Sequence, residues 1–294
     1  MLIKEKLMNM DHLTTNEKTV GEYILENMNC LSNLSTKTIA NNTYTSPSTT
    51  VRLAKKLGYS GWVDLKEALI VETEYLESHF EKINPNFPFG ESDSIQEISN
   101  KIASLLSDAI FDTAKLIHHD ELQKSIKYLY EANTIYIFAI TNSASMAYDF
   151  QYKMRFLSNN VIITENPEEF KFFLKYARKN DCCIFVSYSG ETFNQYGIID
   201  YIRTMECPSI SITNIGDNTL KKVTRAHLYI STKEKMFTKI SNYVTSESIH
   251  YLFDVLYSCL FRKDYEYNLK RKNEISKEVD QYRKSSVQLI NEEE

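Results

Sequence analysis

The sequence lacks any excess of positive charge. Its 294 residues include 34 Lys and Arg but 39 Asp and Glu, which gives a formal net charge of -5 at pH 7. A protein that covers nucleic acid with a uniformly basic surface is therefore excluded. If this chain binds DNA, the contact comes from a local basic patch.

Cysteine is scarce, and the five cysteines show neither a disulfide pattern nor a metal-binding pattern. No CxxC pair and no Cys/His cluster has the spacing of metal ligands. The number is odd and the positions are scattered: Cys30, Cys182, Cys183, Cys207 and Cys259. We therefore expect free thiols in a reducing cytoplasm, with no metal and no cofactor.

Long hydrophobic runs are also missing. No apolar run approaches the ~20 residues that a membrane-spanning helix needs. The first residues lack the apolar core of a signal peptide. We therefore expect a cytoplasmic protein without a membrane partner, and the hydrophobic fraction of 43% is adequate for packed cores.

The hydrophobic pattern divides the chain into two predicted domains. Residues 1–77 show helical periodicity, and the stretch 78–94 contains two prolines and a glycine within Asn84–Glu91, which is typical of a linker. Residues 95–262 form the second predicted domain, and 263–294 are a charged tail of helical composition. In the second domain, apolar runs alternate with helical patterns, and one predicted helix extends from about Phe193 to Met205.

Five apolar runs in the second domain predict β-strands. They are Thr134–Ala139, Val161–Thr164, Cys182–Ser187, Ser209–Thr213 and His227–Ser231. Continuous apolar strands that alternate with helices are typical of a parallel sheet covered on both faces. The predicted fold class is therefore an N-terminal all-α domain followed by an α/β domain, with a parallel five-stranded sheet and helices on both faces.

Two short helices in the first domain predict a helix-turn-helix. Thr36–Asn42 is the first helix, Thr43–Thr45 the turn, and Ser46–Gly58 the second helix. Ser46 is a suitable N-cap, because its hydroxyl can accept from an unpaired backbone N–H. Pro47 suits the first helical position, and Gly58 suits the C-terminal end. A short helix, a tight turn and a capped helix are the parts of a helix-turn-helix.

The second helix combines hydroxyls near its start with cations further along. Hydroxyls can reach base edges or phosphates, and cations neutralise phosphates, so this combination suits a DNA groove. The candidate DNA-binding residues are Thr45, Ser46, Ser48, Thr49, Thr50, Arg52, Lys55 and Lys56. The alternative is an ordinary solvated amphipathic helix.

Hydroxyl-rich loops follow the first and third strands, each at the start of a predicted helix. In a parallel sheet, ligands bind beyond the carboxyl ends of the strands, and a helix N-terminus suits phosphate. The candidate residues are Asn142, Ser143, Ser187, Tyr188, Ser189, Gly190 and Thr192. Simple helix capping is the alternative, but Ser-x-Ser-Gly-x-Thr directly after a buried strand favours a ligand.

These motifs resemble two known families. Leu13-Thr-Thr-Asn-Glu-Lys18, Ser46-Pro-Ser-Thr-Thr-Val-Arg52 and Leu57-Gly-Tyr-Ser-Gly-Trp62 resemble the N-terminal domain of RpiR-type transcriptional regulators. Residues Thr134 to about Thr232 look like a sugar isomerase (SIS) domain, whose phosphosugar loop reads Ser-x-Ser-Gly-x-Thr. The resemblance implies a regulator of sugar-metabolism genes that binds operator DNA as a homodimer or homotetramer and senses a phosphorylated sugar.

The first loop departs from the SIS pattern. Family members usually show Gly-x-Gly-x-Ser, whereas this chain has Ala139-Ile-Thr-Asn-Ser143. The added Cβ atoms are expected to narrow the space for a ligand beside the backbone and to restrict the conformations of the loop. A DNA-binding dimer whose SIS domain binds no ligand is therefore one alternative. A phosphosugar isomerase with an appended helical domain is the other. No histidine or carboxylate constellation stands out near the two loops, so we expect a regulator rather than an enzyme.

Overall fold

The computed structural model describes residues 2–8, 13–77, 83–157, 159–279 and 286–287, without the side chains of 74–77. Parts of the predicted linker (78–82) and of the predicted tail (280–285 and 288–294) lie outside the described residues. The chain divides into two compact units. The first comprises Met1–Asp112, Ile215–Asn218 and Lys233–Ser241, and the second Thr113–Asn214, Thr219–Thr232 and Asn242–Glu294. The domain boundaries near residues 77, 94 and 262 stay predictions.

The first unit is helical. Its helices are α1 (Ile3–Met8), α2 (Thr15–Glu26), α3 (Thr36–Thr43), α4 (Pro47–Lys56), α5 (Trp62–Glu77) and most of α6 (Ile95–Lys115), with a short 3-10 segment at Met28–Asn33. Leu7, Ile24, Leu53 and Leu65 are fully buried in its core. The Trp62 indole also lies there, and its Nε1–H donates to the Leu34 carbonyl at 3.2 Å.

The junction between α3 and α4 confirms the predicted helix-turn-helix. α3 extends one residue further than predicted, and α4 begins at Pro47, directly after the N-cap Ser46. α4 ends in two backbone hydrogen bonds, from Gly58 N–H to the Lys55 carbonyl and from Tyr59 N–H to the Ala54 carbonyl. This is the Schellman arrangement, which requires a left-handed residue, and Gly58 has φ +95°.

The second unit contains the five-stranded sheet. Its strands are β1 (Thr134–Phe138), β2 (Asn160–Thr164), β3 (Cys182–Val186), β4 (Ser209–Thr213) and β5 (Ala226–Tyr229). They are all parallel, in the order β2-β1-β3-β4-β5. Its helices are α7 (His119–Tyr130), α8 (Asn142–Met154), α9 (Pro167–Tyr176), α10 (Thr192–Gln195), α11 (Ile199–Thr204), α12 (Thr219–Val223), α13 (Tyr243–Lys263) and α14 (Tyr265–Val279).

Both faces of the sheet are covered, as predicted. Along β1, Ile135 and Ile137 face one core, which includes residues of α8 and α13, while Phe138 faces the other with Phe170 and Phe193. Every residue of β3 and β4 is buried. Burial on both faces explains why these strands are continuously apolar in sequence rather than alternating.

The predicted helix from Phe193 to Met205 is wrong as a single element. The chain instead forms α10 and α11 with a break between them. Gly197 lies in the break at φ +63°, a left-handed conformation that interrupts a right-handed helix.

Among the residues that the structure describes, no helix is long and apolar enough to cross a membrane.

Candidate functional site

The start of α4 carries a cluster of hydroxyls, but their bonding differs from the prediction. Ser46 is the N-cap residue, yet its side chain accepts no backbone N–H. Its Oγ lies 2.7 Å from Ser48 Oγ and 3.1 Å from Thr49 Oγ1 instead. The Ser46 backbone carbonyl accepts the Thr49 N–H at 2.9 Å. The hydroxyls of this first turn therefore bond mainly to one another.

Two of the predicted DNA-binding residues face the interior. Thr49 is 1% exposed and Thr50 is 0% exposed, so they do not lie on the surface of α4, where a DNA-binding residue was expected. The buried stripe of α4 consists of Thr49, Thr50, Leu53 and Ala54, because positions four residues apart lie on the same side of a helix. Neither threonine therefore presents its hydroxyl to solvent in this structure.

The remaining candidates on α4 are open to solvent. Ser46, Ser48, Arg52, Lys55 and Lys56 are exposed, and Thr45, just before the helix, is half-buried. The Arg52 guanidinium donates to Thr49 Oγ1 at 3.4 Å, which directs it along the helix towards the N-terminal hydroxyls. Arg52 and the exposed serines therefore share one surface.

Lys56 already has a partner within the fold. Its Nζ lies 2.7 Å from Glu17 Oε2, and the Glu17 side chain is only 4% exposed. The same carboxylate accepts the Thr14 N–H and Oγ1–H at 2.8 Å each, which forms a capping box at the start of α2. Burial alone would raise the pKa of Glu17, but the hydrogen bonds from Lys56 and Thr14 outweigh it and hold that pKa at about 2. The sequence did not indicate that Lys56 pairs with Glu17, although Glu17 stands in the Leu-Thr-x-x-Glu-Lys motif.

The loop after β3 is closed on itself by hydroxyl hydrogen bonds. Ser187 Oγ lies 2.8 Å from Thr192 Oγ1 and accepts the Gly190 N–H at 3.1 Å. Ser189 Oγ accepts the Glu191 N–H at 3.1 Å. Gly190 has φ +72°, which a residue with a side chain would adopt only under strain. The loop backbone thus has a defined conformation, with Tyr188, Ser189 and Thr192 half-buried and Ser187 and Gly190 buried.

Two neighbouring segments hold this loop in place. The Glu191 carboxylate accepts the Thr219 N–H at 2.8 Å and the Thr219 hydroxyl at 2.5 Å, at the start of α12. The Asn214 side chain donates to the Tyr188 carbonyl at 2.7 Å, just beyond β4. These supports were not predicted, because the sequence gives no sign that positions this far apart meet.

The loop after β1 leads into α8. Phe138 pairs with Phe185, so this loop and the Ser187–Thr192 loop leave neighbouring strands at the same edge of the sheet. Asn142 and Ser143 occupy the first turn of α8. The leading N–H groups of a helix have no carbonyl four residues before them within the helix, although the Ala144 N–H donates to the Thr141 carbonyl at 3.1 Å. The Asn142 amide donates to Ser246 Oγ at 2.5 Å, in the first turns of α13. Asn142 is exposed and Ser143 half-buried.

A separate charged group lies on α8 and α13. The ligand atoms of Asp149, His250 and Asp254 all lie within 4.8 Å of one another. The Lys153 Nζ contacts both carboxylates, at 2.6 Å from Asp149 and with a shorter contact to Asp254. Burial alone would raise the pKa of Asp149, but Lys153 and His250 lower it. One ammonium group of the chain itself therefore contacts both carboxylates and offsets part of their negative charge.

Comparisons with known proteins agree with this architecture. Residues 1–76 match the helix-turn-helix domain of the rpiR family, and residues 128–255 match the SIS domain. The fold and the two domains define a class of regulator, in which a helix-turn-helix precedes a sugar isomerase domain. Within that class, the chain belongs to the RpiR family.

Two relatives that align with most of the chain are both described as HTH-type transcriptional regulators. An uncharacterized HTH-type transcriptional regulator of Caldanaerobacter subterraneus is 26% identical over 224 residues, covering 76% of this chain and 78% of the relative. One of Thermotoga maritima is 26% identical over 271 residues, covering 89% and 91%. Both relatives therefore align with most of the chain.

Two solved structures share the fold. The Vibrio vulnificus NanR protein complexed with ManNAc-6P has a TM-score of 0.56 at 23% identity, covering 94% of this chain and 98% of that one. The sugar isomerase domain of an RpiR transcription factor from Sphaerobacter thermophilus has a TM-score of 0.53 at 12% identity, covering 62% and 99%. At these identities the likeness concerns the fold alone.

Proposed function

We propose that this protein is a transcriptional regulator that binds operator DNA through α4 and senses a phosphorylated sugar at the Ser187–Thr192 loop. The observation that carries the proposal is the presence of both parts in one chain. An RpiR-type helix-turn-helix and an SIS domain match most of its length, and its relatives are HTH-type transcriptional regulators.

The exposed face of α4 supports the DNA-binding part. Arg52, Lys55 and Ser48 are open to solvent, and Arg52 is suited to bidentate contacts with guanine or phosphate. Because the whole chain has a net charge of -5, one such patch attracts DNA only weakly. A homodimer would double the number of patches and match a two-fold operator, and a homotetramer would carry four. A regulator of this kind acts in the cytoplasm, where the DNA is.

The loop after β3 supports the sensing part. Its hydroxyls, together with the N-terminus of α8 after the neighbouring strand, offer O–H and N–H donors suited to a phosphate, and the Gly190 N–H, which donates to Ser187, helps to fix the loop. The NanR protein, which shares the fold, is complexed with ManNAc-6P, and this supports a phosphosugar as the ligand class.

Sensing without turnover is favoured over isomerase chemistry. Glu191 is the carboxylate within the loop, and both of its oxygens are bound to Thr219. His227 lies on β5, where its Nδ1 is 3.1 Å from Ser211 Oγ, and burial lowers its pKa. An isomerase needs a base free to take a proton from the sugar, and these two groups serve the fold instead.

The test is a panel of hexose and amino-sugar phosphates, measured in three assays on the full-length protein. Thermal unfolding detects a ligand, because binding to the native state alone raises stability. Fluorescence anisotropy with DNA selected by the protein from a random-sequence pool detects regulation. Chromatography of the incubated sugars detects turnover. We expect stabilisation and altered DNA affinity with at least one sugar, and turnover of any sugar would overturn the regulator-only function.

A further inference from the structure

The turn between α3 and α4 contains a residue whose conformation and exposure are both unusual. Among the residues that the structure describes, Tyr44 and Thr141 are the non-glycine residues with positive φ. Tyr44 ends α3 in the left-handed region, at φ 54° and ψ 36°, and its N–H donates to the Ala40 carbonyl. The Thr45 N–H donates to the same carbonyl at 3.0 Å, so the turn is tightly held.

Folding gives no reason for a tyrosine at this position. The left-handed conformation is unfavourable for residues with a Cβ, whereas glycine adopts it freely and asparagine tolerates it. The Tyr44 side chain is 98% exposed, so it gains no packing that would offset the strain. Strained residues that the fold does not require occur preferentially at functional sites.

We propose that Tyr44 is a DNA-contacting residue, whose phenolic hydroxyl donates a hydrogen bond to a backbone phosphate beside the N-terminus of α4. This inference rests on the DNA-binding function proposed above. Tyr44 stands two residues before the N-cap Ser46, and the exposed Ser48 follows in the first turn. In helix-turn-helix proteins the first helix crosses the DNA backbone while the start of the second reaches the bases. A side chain between them is thus placed at the backbone, where tyrosine is a known donor.

A neutral donor leaves a distinct signature in the salt dependence of binding. Each phosphate neutralised by a cation contributes a slope of about -0.9 to the plot of log affinity against log salt. Tyr44 releases no counterion, so its loss weakens binding equally at every salt concentration. Loss of Arg52 weakens binding and also makes the slope shallower by about one.

The experiment measures binding of full-length protein by fluorescence anisotropy between about 50 and 200 mM salt. The probes are a labelled duplex selected by the wild type from a random-sequence pool, and a duplex of arbitrary sequence. We expect Tyr44→Phe to bind both duplexes roughly three- to tenfold more weakly, since one neutral hydrogen bond is lost, with an unchanged salt slope. Tyr176→Phe is the matched control, because Tyr176 is 62% exposed on α9 in the second unit.

A second variant separates DNA contact from a structural effect. Tyr44→Asn removes the phenol and suits the left-handed conformation, so we expect weaker DNA binding with an unfolding temperature no lower than that of the wild type. Tyr44→Phe binding within about twofold of wild type, or a salt slope that falls as it does for Arg52→Ala, would overturn the inference. If the wild type enriched no sequence from the pool and did not bind the arbitrary duplex, the DNA-binding function would fail, and this inference with it.

Discussion

Thr141 shows how the first loop keeps its path without its usual glycines. It is the N-cap of α8 and adopts φ 54° and ψ -126°, a region that residues with a Cβ strongly avoid. Ala139, at the other glycine position, is fully buried in the sheet core, and its N–H continues the strand pattern by donating to the Thr164 carbonyl. The loop has therefore retained a glycine-like conformation at a threonine, and it stores strain there.

Replacing Thr141 with glycine is expected to stabilise the protein. Strain at such a position is of order 1–3 kcal/mol, and glycine would relieve it. Glycine also makes the unfolded chain more flexible, which lowers the free energy of unfolding by about 0.5–1 kcal/mol. We therefore expect a net gain of about 1 kcal/mol in the free energy of unfolding, measured by urea denaturation. Thr141→Ala is the control, because alanine keeps the Cβ and the strain. A glycine variant no more stable than the alanine variant would show that the conformation carries no strain.

Glu17 makes stability depend on pH in a defined window. Its pKa is lowered from 4.5 to about 2 in the folded state, so its contribution is complete above the unfolded value and is lost as the pH falls towards about 2. The shift corresponds to about 2–3 kcal/mol after allowance for the solvent around Lys56. We expect Glu17→Gln to lower stability at pH 7 and to lose less stability than wild type as the pH falls through that window. If the free energies of unfolding of the two proteins, measured by urea denaturation, changed in parallel with pH, this expectation would be contradicted.

At the scale of the element, α4 carries two adjacent lysines with different roles. Lys55 is exposed, whereas Lys56 bonds to the buried Glu17. We expect Lys55→Ala to weaken DNA binding with little effect on stability. We expect Lys56→Ala to lose about 1–2 kcal/mol of stability, because it leaves a buried carboxylate without its cation. Fluorescence anisotropy measures DNA binding and urea denaturation measures stability for both variants. If Lys55→Ala and Lys56→Ala had the same effect in each assay, the contrast would be contradicted.

The helices show which signals a sequence carries and which it does not. Caps and stop signals are local, so the bounds of α4 were predicted to within two residues from Ser46, Pro47 and Gly58. Burial of Thr49 and Thr50 was missed, because threonine suits either face and its side is decided by α2 and α3 packing against the helix. The break at Gly197 was missed because an isolated glycine inside a helical pattern is often tolerated.

The sheet was predicted more completely than the candidate sites. Strands buried on both faces leave an unambiguous apolar run, so all five were found to within two residues at either end. The supports of the ligand loop depend on contacts between distant residues, such as Glu191 with Thr219 and Asn142 with Ser246. No local pattern encodes such pairs, and the sequence could therefore indicate the loop but not how it is held.

At the scale of the whole molecule, the ligand loop and α4 are expected to be separable by mutation. Ser189→Ala removes a loop hydroxyl, so we expect it to abolish the response to a sugar phosphate and to leave basal DNA affinity unchanged. A responding wild type should gain about 2.7 kcal/mol of stability at a ligand concentration 100 times Kd. Ser99→Ala, an exposed serine on α6, is the matched control. A full response in Ser189→Ala would place the pocket elsewhere.

The ion pair between Glu17 and Lys56 also has a consequence for how the family diverges. The two residues are 39 positions apart in the chain. Glu17 is harmful to keep without Lys56, because its side chain is only 4% exposed and would be left as a buried charge without a cation. Lineages that lose Lys56 are expected to lose or replace Glu17, so the two positions should covary among homologues. Lys55, which is exposed and has no such ion pair among the described residues, is instead free to vary with the operators that each descendant recognises.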